Sequence, residues 1–195
     1  HFDSYLDEYQ FGSTEGRSTT TALIMLFHIL FQASDDTSNF IRLLFVDFSK
    51  AFELIDHSVL HNKLNDCQFP PHLSAWTLSF LDSRTQFVRV GHCESSVLST
   101  NAGAPQGTRA GPNDFKLVVN DLKFNIPYVK YVDDITIASV SNDSDDNELQ
   151  HAAEQLADWC SCNGMRLNTR ETKEMLLHFG KKSLTCRQLD QYVLM

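Results

Sequence analysis

The chain has 195 residues, 42% of them apolar, with fourteen phenylalanines and a formal charge of −9 at neutral pH; this is enough for one domain with a real core. No apolar run approaches the roughly 20 residues a membrane-spanning helix needs, and the N-terminus lacks the basic-then-apolar pattern of a secretory signal. The five cysteines are therefore expected as reduced thiols of an intracellular, non-secreted protein, and the acidic balance is the reverse of the basic surface that phosphate backbones attract.

Residues 1–18 are polar and turn-rich, and a first residue that is His1 rather than Met reads as a piece of a longer product. From Thr20 to Ala33, Leu23, Leu26, Phe27 and Leu30 recur at helical spacing, with Ser18 or Thr19 as N-cap. After a loop at Asp35–Asn39, residues 41–47 form a strand that is apolar on both faces, hence buried and central. Asp56 caps a helix carrying Val59, Leu60 and Leu64. Pro70-Pro71 opens the next helix, with Leu73, Trp76, Thr77 and Phe80 on one face. Residues 85–90 and 95–100 read as two strands around a Gly91–Glu94 turn.

The stretch Gly103–Gly111, rich in Gly and Pro, is a loop that leads into a helix from about Pro112 to Leu122. Tyr128–Val132 and Ile135–Val140 form a β-hairpin with Asp133-Asp134 at its tip. Asp145 and Glu148 make a capping box for a helix whose stripe is Leu149, Ala152, Ala153, Leu156, Trp159 and Cys160, ended by Asn163-Gly164. Leu167 and Met175–Phe179 supply two last short strands. Cys160-Ser161-Cys162 lacks the two-residue gap of a structural zinc knuckle. Strands and helices mix without strict βαβ alternation, which predicts an α+β fold with an antiparallel sheet and helices packed on one face.

Three aspartates stand out. Asp47 closes the run Ile41–Val46, and Asp133-Asp134 lie between two β-prone runs. Taken alone, an Asp-Asp pair is ordinary turn chemistry, and Asp47 alone is a loop residue after a strand. Together they are two acidic loci that adjacent strands can bring to one end of a sheet. Three carboxylates held there repel unless cations sit between them, and two divalent metals are the economical answer. Gly103-Ala104-Pro105-Gln106-Gly107-Thr108 is a weak motif on its own, a loop entering a helix; its glycines allow a ligand close to the backbone, and Gln106 offers an amide donor and acceptor. Phe52, five residues after Asp47, is either core or a surface for a sugar.

The segment Phe45-Val46-Asp47-Phe48-Ser49-Lys50-Ala51-Phe52 through His57 resembles the first palm motif of non-LTR retrotransposon reverse transcriptases. Ala104-Pro105-Gln106-Gly107-Thr108 with Asn120-Asp121-Leu122 looks like their Pro-Gln-Gly motif and its helix, and Tyr131-Val132-Asp133-Asp134 is similar to their Tyr-x-Asp-Asp box. Gln10-Phe11-Gly12 with Gly16–Thr19 resembles the segment before the palm, and Asn163–Asn168 with Lys173-Glu174-Met175 the segment after the box. Order and spacing agree over residues 9 to 179. The chain departs from the pattern at Ser13-Thr14, where relatives carry an aromatic residue and an arginine, and at Glu171, where a lysine is usual.

The resemblance implies a polymerase palm: an antiparallel sheet bearing the catalytic carboxylates, helices on one face, and part of the fingers. Residues 1–180 would be the reverse transcriptase domain, with a fingers remnant at about 1–40, the palm at about 41–180, and an unmatched tail at 181–195. The implied activity is RNA-directed DNA synthesis. Asp47, Asp133 and Asp134 would be catalytic and would hold two Mg²⁺ ions, for which Mn²⁺ substitutes, with the carbonyl of Phe48 as a further ligand. Phe52, Gln106, Gly107 and Lys173 would meet the nucleotide, and Tyr131 would sit near the primer end. The implied partners are an RNA template, a DNA primer and dNTPs, with no membrane. A chain of this length would lack the thumb and most of the fingers. The rival readings are a decayed or repurposed palm remnant that binds nucleic acid or protein, and a two-metal nuclease.

Overall fold

The computed structural model describes residues 6–105, 107–142 and 147–179, and the backbone of 185–187. The elements in chain order are α1 (Thr19–Ser34), β1 (Phe40–Val46), α2 (His57–Asp66), α3 (Pro71–Leu81), β2 (Arg84–Gln86), β3 (Arg89–Val90), β4 (Cys93–Glu94), β5 (Leu98–Thr100), α4 (Ala110–Val118), β6 (Tyr128–Tyr131), β7 (Asp134–Ser141), α5 (Glu148–Asn163), β8 (Lys173–His178) and β9 (Thr185–Arg187). Five strands form one antiparallel sheet in the order β6-β7-β1-β8-β9. No helix among the described residues is long and apolar enough to cross a membrane.

β1 is the central strand because its residues serve both faces. Leu44 and Val46 join the main core with Ile135 and Ile137 of β7, under residues of α2, α4 and α5. Ile41, Leu43 and Phe45 point the other way, toward Ala138, Val140 and Leu177, where α1 supplies Leu26, Ile29, Leu30 and Ala33. Full burial of each such side chain contributes roughly 1.5–3 kcal/mol. Helices on one face is thus corrected: α1 covers the second face, because strand alternation gives β1 an apolar residue on both sides.

Local chemistry explains most boundaries. Ser18 and Thr21 form a reciprocal cap at α1. Asp56 accepts from the N–H groups of Ser58 and Val59 at α2. Pro71 opens α3 at a position where its missing N–H is no loss. Gly164, at φ +68°, ends α5. α4 begins two residues earlier than Pro112 and stops at Val118, with Val119 closing the turn. The capping box at α5 falls partly outside the described residues, since Asp145 is not among them; Asn147 stands at the N-cap without a side-chain bond.

Three other expectations shift. The apolar face of α3 is turned outward: Leu73, Trp76 and Phe80 are exposed, Trp76 stacks on Phe80, and Ser74 and Leu81 are the buried positions. Leu23 and Phe27 of α1 are likewise half exposed. The long ribbon of 85–90 with 95–100 breaks into two short ladders, β2 with β5 and β3 with β4. The break comes where the Ser95 hydroxyl accepts from the Val88 N–H at 2.9 Å in place of a backbone carbonyl. Leu167 contributes only a bridge to Phe48, not a strand.

Candidate active site

The register of β1 on β7 runs from Phe40 opposite Ser141 to Val46 opposite Ile135. Continued by one pair, it sets Asp47 opposite Asp134. β6 meets β7 with Tyr131 paired to Asp134. The hairpin turn is therefore Val132-Asp133, not Asp133-Asp134. Asp134 is already the first strand residue, and Val132, not an aspartate, takes the left-handed backbone at φ +59°. The two acidic loci meet at one end of neighbouring strands.

The carboxyls feel one another. The Asp133 carboxyl is pushed up by burial and then by the Asp47 charge. Asp134 is pushed up by partial loss of water, then by Asp133 and Asp47, although the residue stays exposed. Asp47 itself is held through its backbone: its N–H donates to Thr172 Oγ1 at 3.1 Å, and its carbonyl accepts from the Asn168 N–H at 2.9 Å. Phe48 is buried against Phe115 and Trp159 and pairs with Leu167. An all-carboxylate donor set of this kind suits a hard divalent cation, and the mutual repulsion is what such an ion relieves. Among the described residues, no three His, Cys, Asp or Glu side chains are grouped to hold a metal as they stand.

Phe52 packs its ring 5.4 Å from that of Phe115. The loop after β5 lies against the same segment: the Ala104 N–H donates to the Phe52 carbonyl at 2.8 Å, and the Gly103 N–H to that of Ile55 at 2.7 Å. A Cβ on Gly103 would stand 2.9 Å from the backbone of Phe52 and Glu53, so only glycine allows this approach. Gly107, at φ +76°, faces open space, and Gln106 lies outside the described residues. Lys173 begins β8 opposite Phe45, two positions before Asp47, and is exposed; Tyr131 ends β6 half-buried.

Several residues that hold this arrangement were given no role in the site from the sequence. The Gly103 carbonyl accepts from Arg84 Nη2, and His57 Nε2 lies 3.0 Å from the same oxygen. Asp114, at the middle of α4, is buried and its carboxyl is pushed up to about 6 by loss of water. Most telling is the segment Tyr9–Gly12. It runs alongside β6, with the Phe11 N–H on the Lys130 carbonyl at 2.8 Å and the Lys130 N–H on the Tyr9 carbonyl at 2.9 Å. Its glutamine motif was visible in the sequence; its contact with the hairpin was not, because the two are more than a hundred residues apart.

Known proteins agree with the resemblance drawn from the motifs. The chain is 29% identical over 179 residues to the probable RNA-directed DNA polymerase from transposon BS of Drosophila melanogaster, covering 86% of this chain and 20% of that protein. It is 28% identical over 140 residues to the RNA-directed DNA polymerase from mobile element jockey of the same organism, covering 71% of this chain and 15% of that protein. The chain thus spans about a fifth or less of the curated relatives it matches. The family described as reverse transcriptase (RNA-dependent DNA polymerase) matches residues 1–190, and the chain belongs to that family.

Proposed function

We propose that this chain is the palm-bearing part of a non-LTR retrotransposon RNA-directed DNA polymerase, which extends a DNA primer on an RNA template inside the cell. The observation that carries the reading is the β1–β7 register, which ends at Val46 opposite Ile135 and leads Asp47 toward Asp134 at one sheet end, with Asp133 in the adjoining turn and the Asp47 charge raising the pKa of both. Asp47, Asp133 and Asp134 hold two Mg²⁺ or Mn²⁺ ions, and the Phe48 carbonyl is a further ligand. When bound, such ions acidify the primer hydroxyl and neutralise charge on the triphosphate and leaving pyrophosphate.

The rest of the chain positions the reactants. Phe52, braced by Phe115 and by the Gly103–Ala104 backbone, presents a fixed surface to the sugar of the incoming nucleotide and excludes a 2′-hydroxyl. Gln106 and Gly107 contact the dNTP and the templating base, Lys173 serves the nucleotide, and Tyr131 lies by the primer end.

The test is primer extension on poly(rA)–oligo(dT) with Mg²⁺ or Mn²⁺, comparing the chain with its Asp133→Asn variant, alongside a Mn²⁺ titration of the chain and of Asp47→Asn. Extension lost in Asp133→Asn supports the reading in full. Mn²⁺ binding that depends on Asp47 without extension supports an intact metal site that does not polymerise in this chain alone. Absence of both overturns it.

A further inference from the structure

The hairpin turn that carries Asp133 is held in a conformation its own residue does not favour. Val132 sits at φ +59°, and a β-branched side chain there is strained by roughly 1–2 kcal/mol. Something outside the hairpin must fix it. The Gln10 side chain, 2% exposed, lies directly beneath. Its Oε1 accepts two hydrogen bonds at 2.9 Å, one from the N–H of Gly12 and one from the N–H of Val132. Two N–H donors on one amide oxygen set the orientation of the group, and they leave Nε2 buried with no partner. Gly12 completes the contact: a Cβ there would stand 2.4 Å from Val132 N and 2.5 Å from Val132 Cγ2.

We propose that Gln10 is a positioning residue: its side-chain oxygen holds the Val132 peptide and thereby sets where Asp133 and Asp134 stand toward Asp47. This rests on the two-metal reading of those aspartates. Gln10 touches none of the reacting atoms. It acts on one peptide N–H, next to a turn residue whose ordinary backbone preference would rotate the Asp133 carboxyl away. The bulky Val132 makes the clamp necessary, since glycine adopts a positive φ without help.

The experiment uses the whole chain and three variants, Gln10→Leu, Gln10→Met and Gln10→Leu with Val132→Gly. Amide hydrogen exchange at Gly12 and Val132 is read beside Mn²⁺ affinity. The expected result is faster exchange at both amides in Gln10→Leu and a loss of about tenfold or more in Mn²⁺ affinity, the scale on which outer partners of metal ligands act. Adding Val132→Gly restores most of the affinity while the Gly12 amide stays unprotected. Rescue of that kind is not expected from a merely structural glutamine. Gln10→Met, which keeps the side-chain length without the acceptor, decides the question should the leucine variant not fold. Wild-type Mn²⁺ binding left unchanged by loss of the acceptor overturns this proposal alone, as does a failure of Val132→Gly to rescue. A wild-type chain that binds no Mn²⁺ overturns the two-metal reading first, and the positioning role with it.

Discussion

Asp7 Oδ2 and Lys130 Nζ meet 2.7 Å apart with both side chains almost fully withdrawn from water. Burial pushes the Lys130 ammonium down and the Asp7 carboxylate pulls it back. Lys130 also donates to the Val119 carbonyl at 2.8 Å, and the Tyr128 hydroxyl to Asp7 Oδ2 at 2.9 Å. The pair ties the first described turn to the strand that leads into the acidic hairpin. Removing one partner strands the other charge, which typically costs about 3–5 kcal/mol. Lys130→Met should therefore destabilise the chain by that order in urea unfolding. Asp7→Leu added to Lys130→Met should recover much of the loss, since a matched apolar pair carries no stranded charge. Two single losses that simply add would show that the residues act independently.

Asp114 gives stability a pH dependence of its own. Its carboxyl is buried, its Oδ2 has no hydrogen-bond partner, and its pKa is pushed up to about 6 from an ordinary value near 3.8, with Arg84 offsetting part of the effect. A carboxyl raised on folding binds its proton more tightly in the folded chain. Its effect therefore runs against stability as pH rises from about 4 through about 6, and it is absent below that window. At neutral pH the penalty is of the order of 2–3 kcal/mol. Asp114→Asn should raise stability at pH 7 by up to that amount and leave it nearly unchanged at pH 4. Equal effects at both values would assign Asp114 to packing instead.

The sequence made the strands of the acidic site legible because their signal is local. Val46-Asp47 ends a continuous apolar run, and Tyr131-Val132-Asp133-Asp134 stands between two β-prone runs. What it hid was long-range. No periodicity places Gln10 under Val132, or α1 on the far face of β1. The turn was read one residue late because Asp tolerates a positive φ and Val does not; the glutamine clamp overrides that preference. The outward face of α3 misled for a related reason. Trp76 and Phe80 at helical spacing read as core, yet α3 buries Ser74 and Leu81 instead.

Asp133 should be dispensable for folding and indispensable for metal. Burial and the Asp47 charge both raise its pKa, so the metal-free chain is relieved when that charge is removed. Asp133→Asn is expected to unfold at the same temperature or higher than the wild type at neutral pH. The gain should fade at pH values below the ordinary carboxylate range, where the wild-type group is itself protonated. Mn²⁺ affinity should fall in the same variant. Thermal scans at two pH values, with and without Mn²⁺, check both halves; a variant that melts lower at neutral pH would assign Asp133 a structural role.

Gly12 and Gly164 should respond oppositely in kind to the same substitution. Gly164 ends α5 at φ +68° with nothing within 4 Å of an added Cβ. Gly164→Ala therefore meets only backbone strain, about 1 kcal/mol. Gly12 has no positive φ to protect, but its added Cβ would meet Val132 N at 2.4 Å and the Tyr131 carbonyl carbon at 2.9 Å. Backbone cannot swing aside as a flexible side-chain tip does, so Gly12→Ala must push the hairpin turn away from Gln10. The expected cost is about 3 kcal/mol, with loss of protection at the Val132 amide, whereas Gly164→Ala leaves that amide unchanged. Urea unfolding with residue-resolved hydrogen exchange separates the two. Equal protection of Val132 in both variants would mean that the turn holds its shape without the segment beneath it.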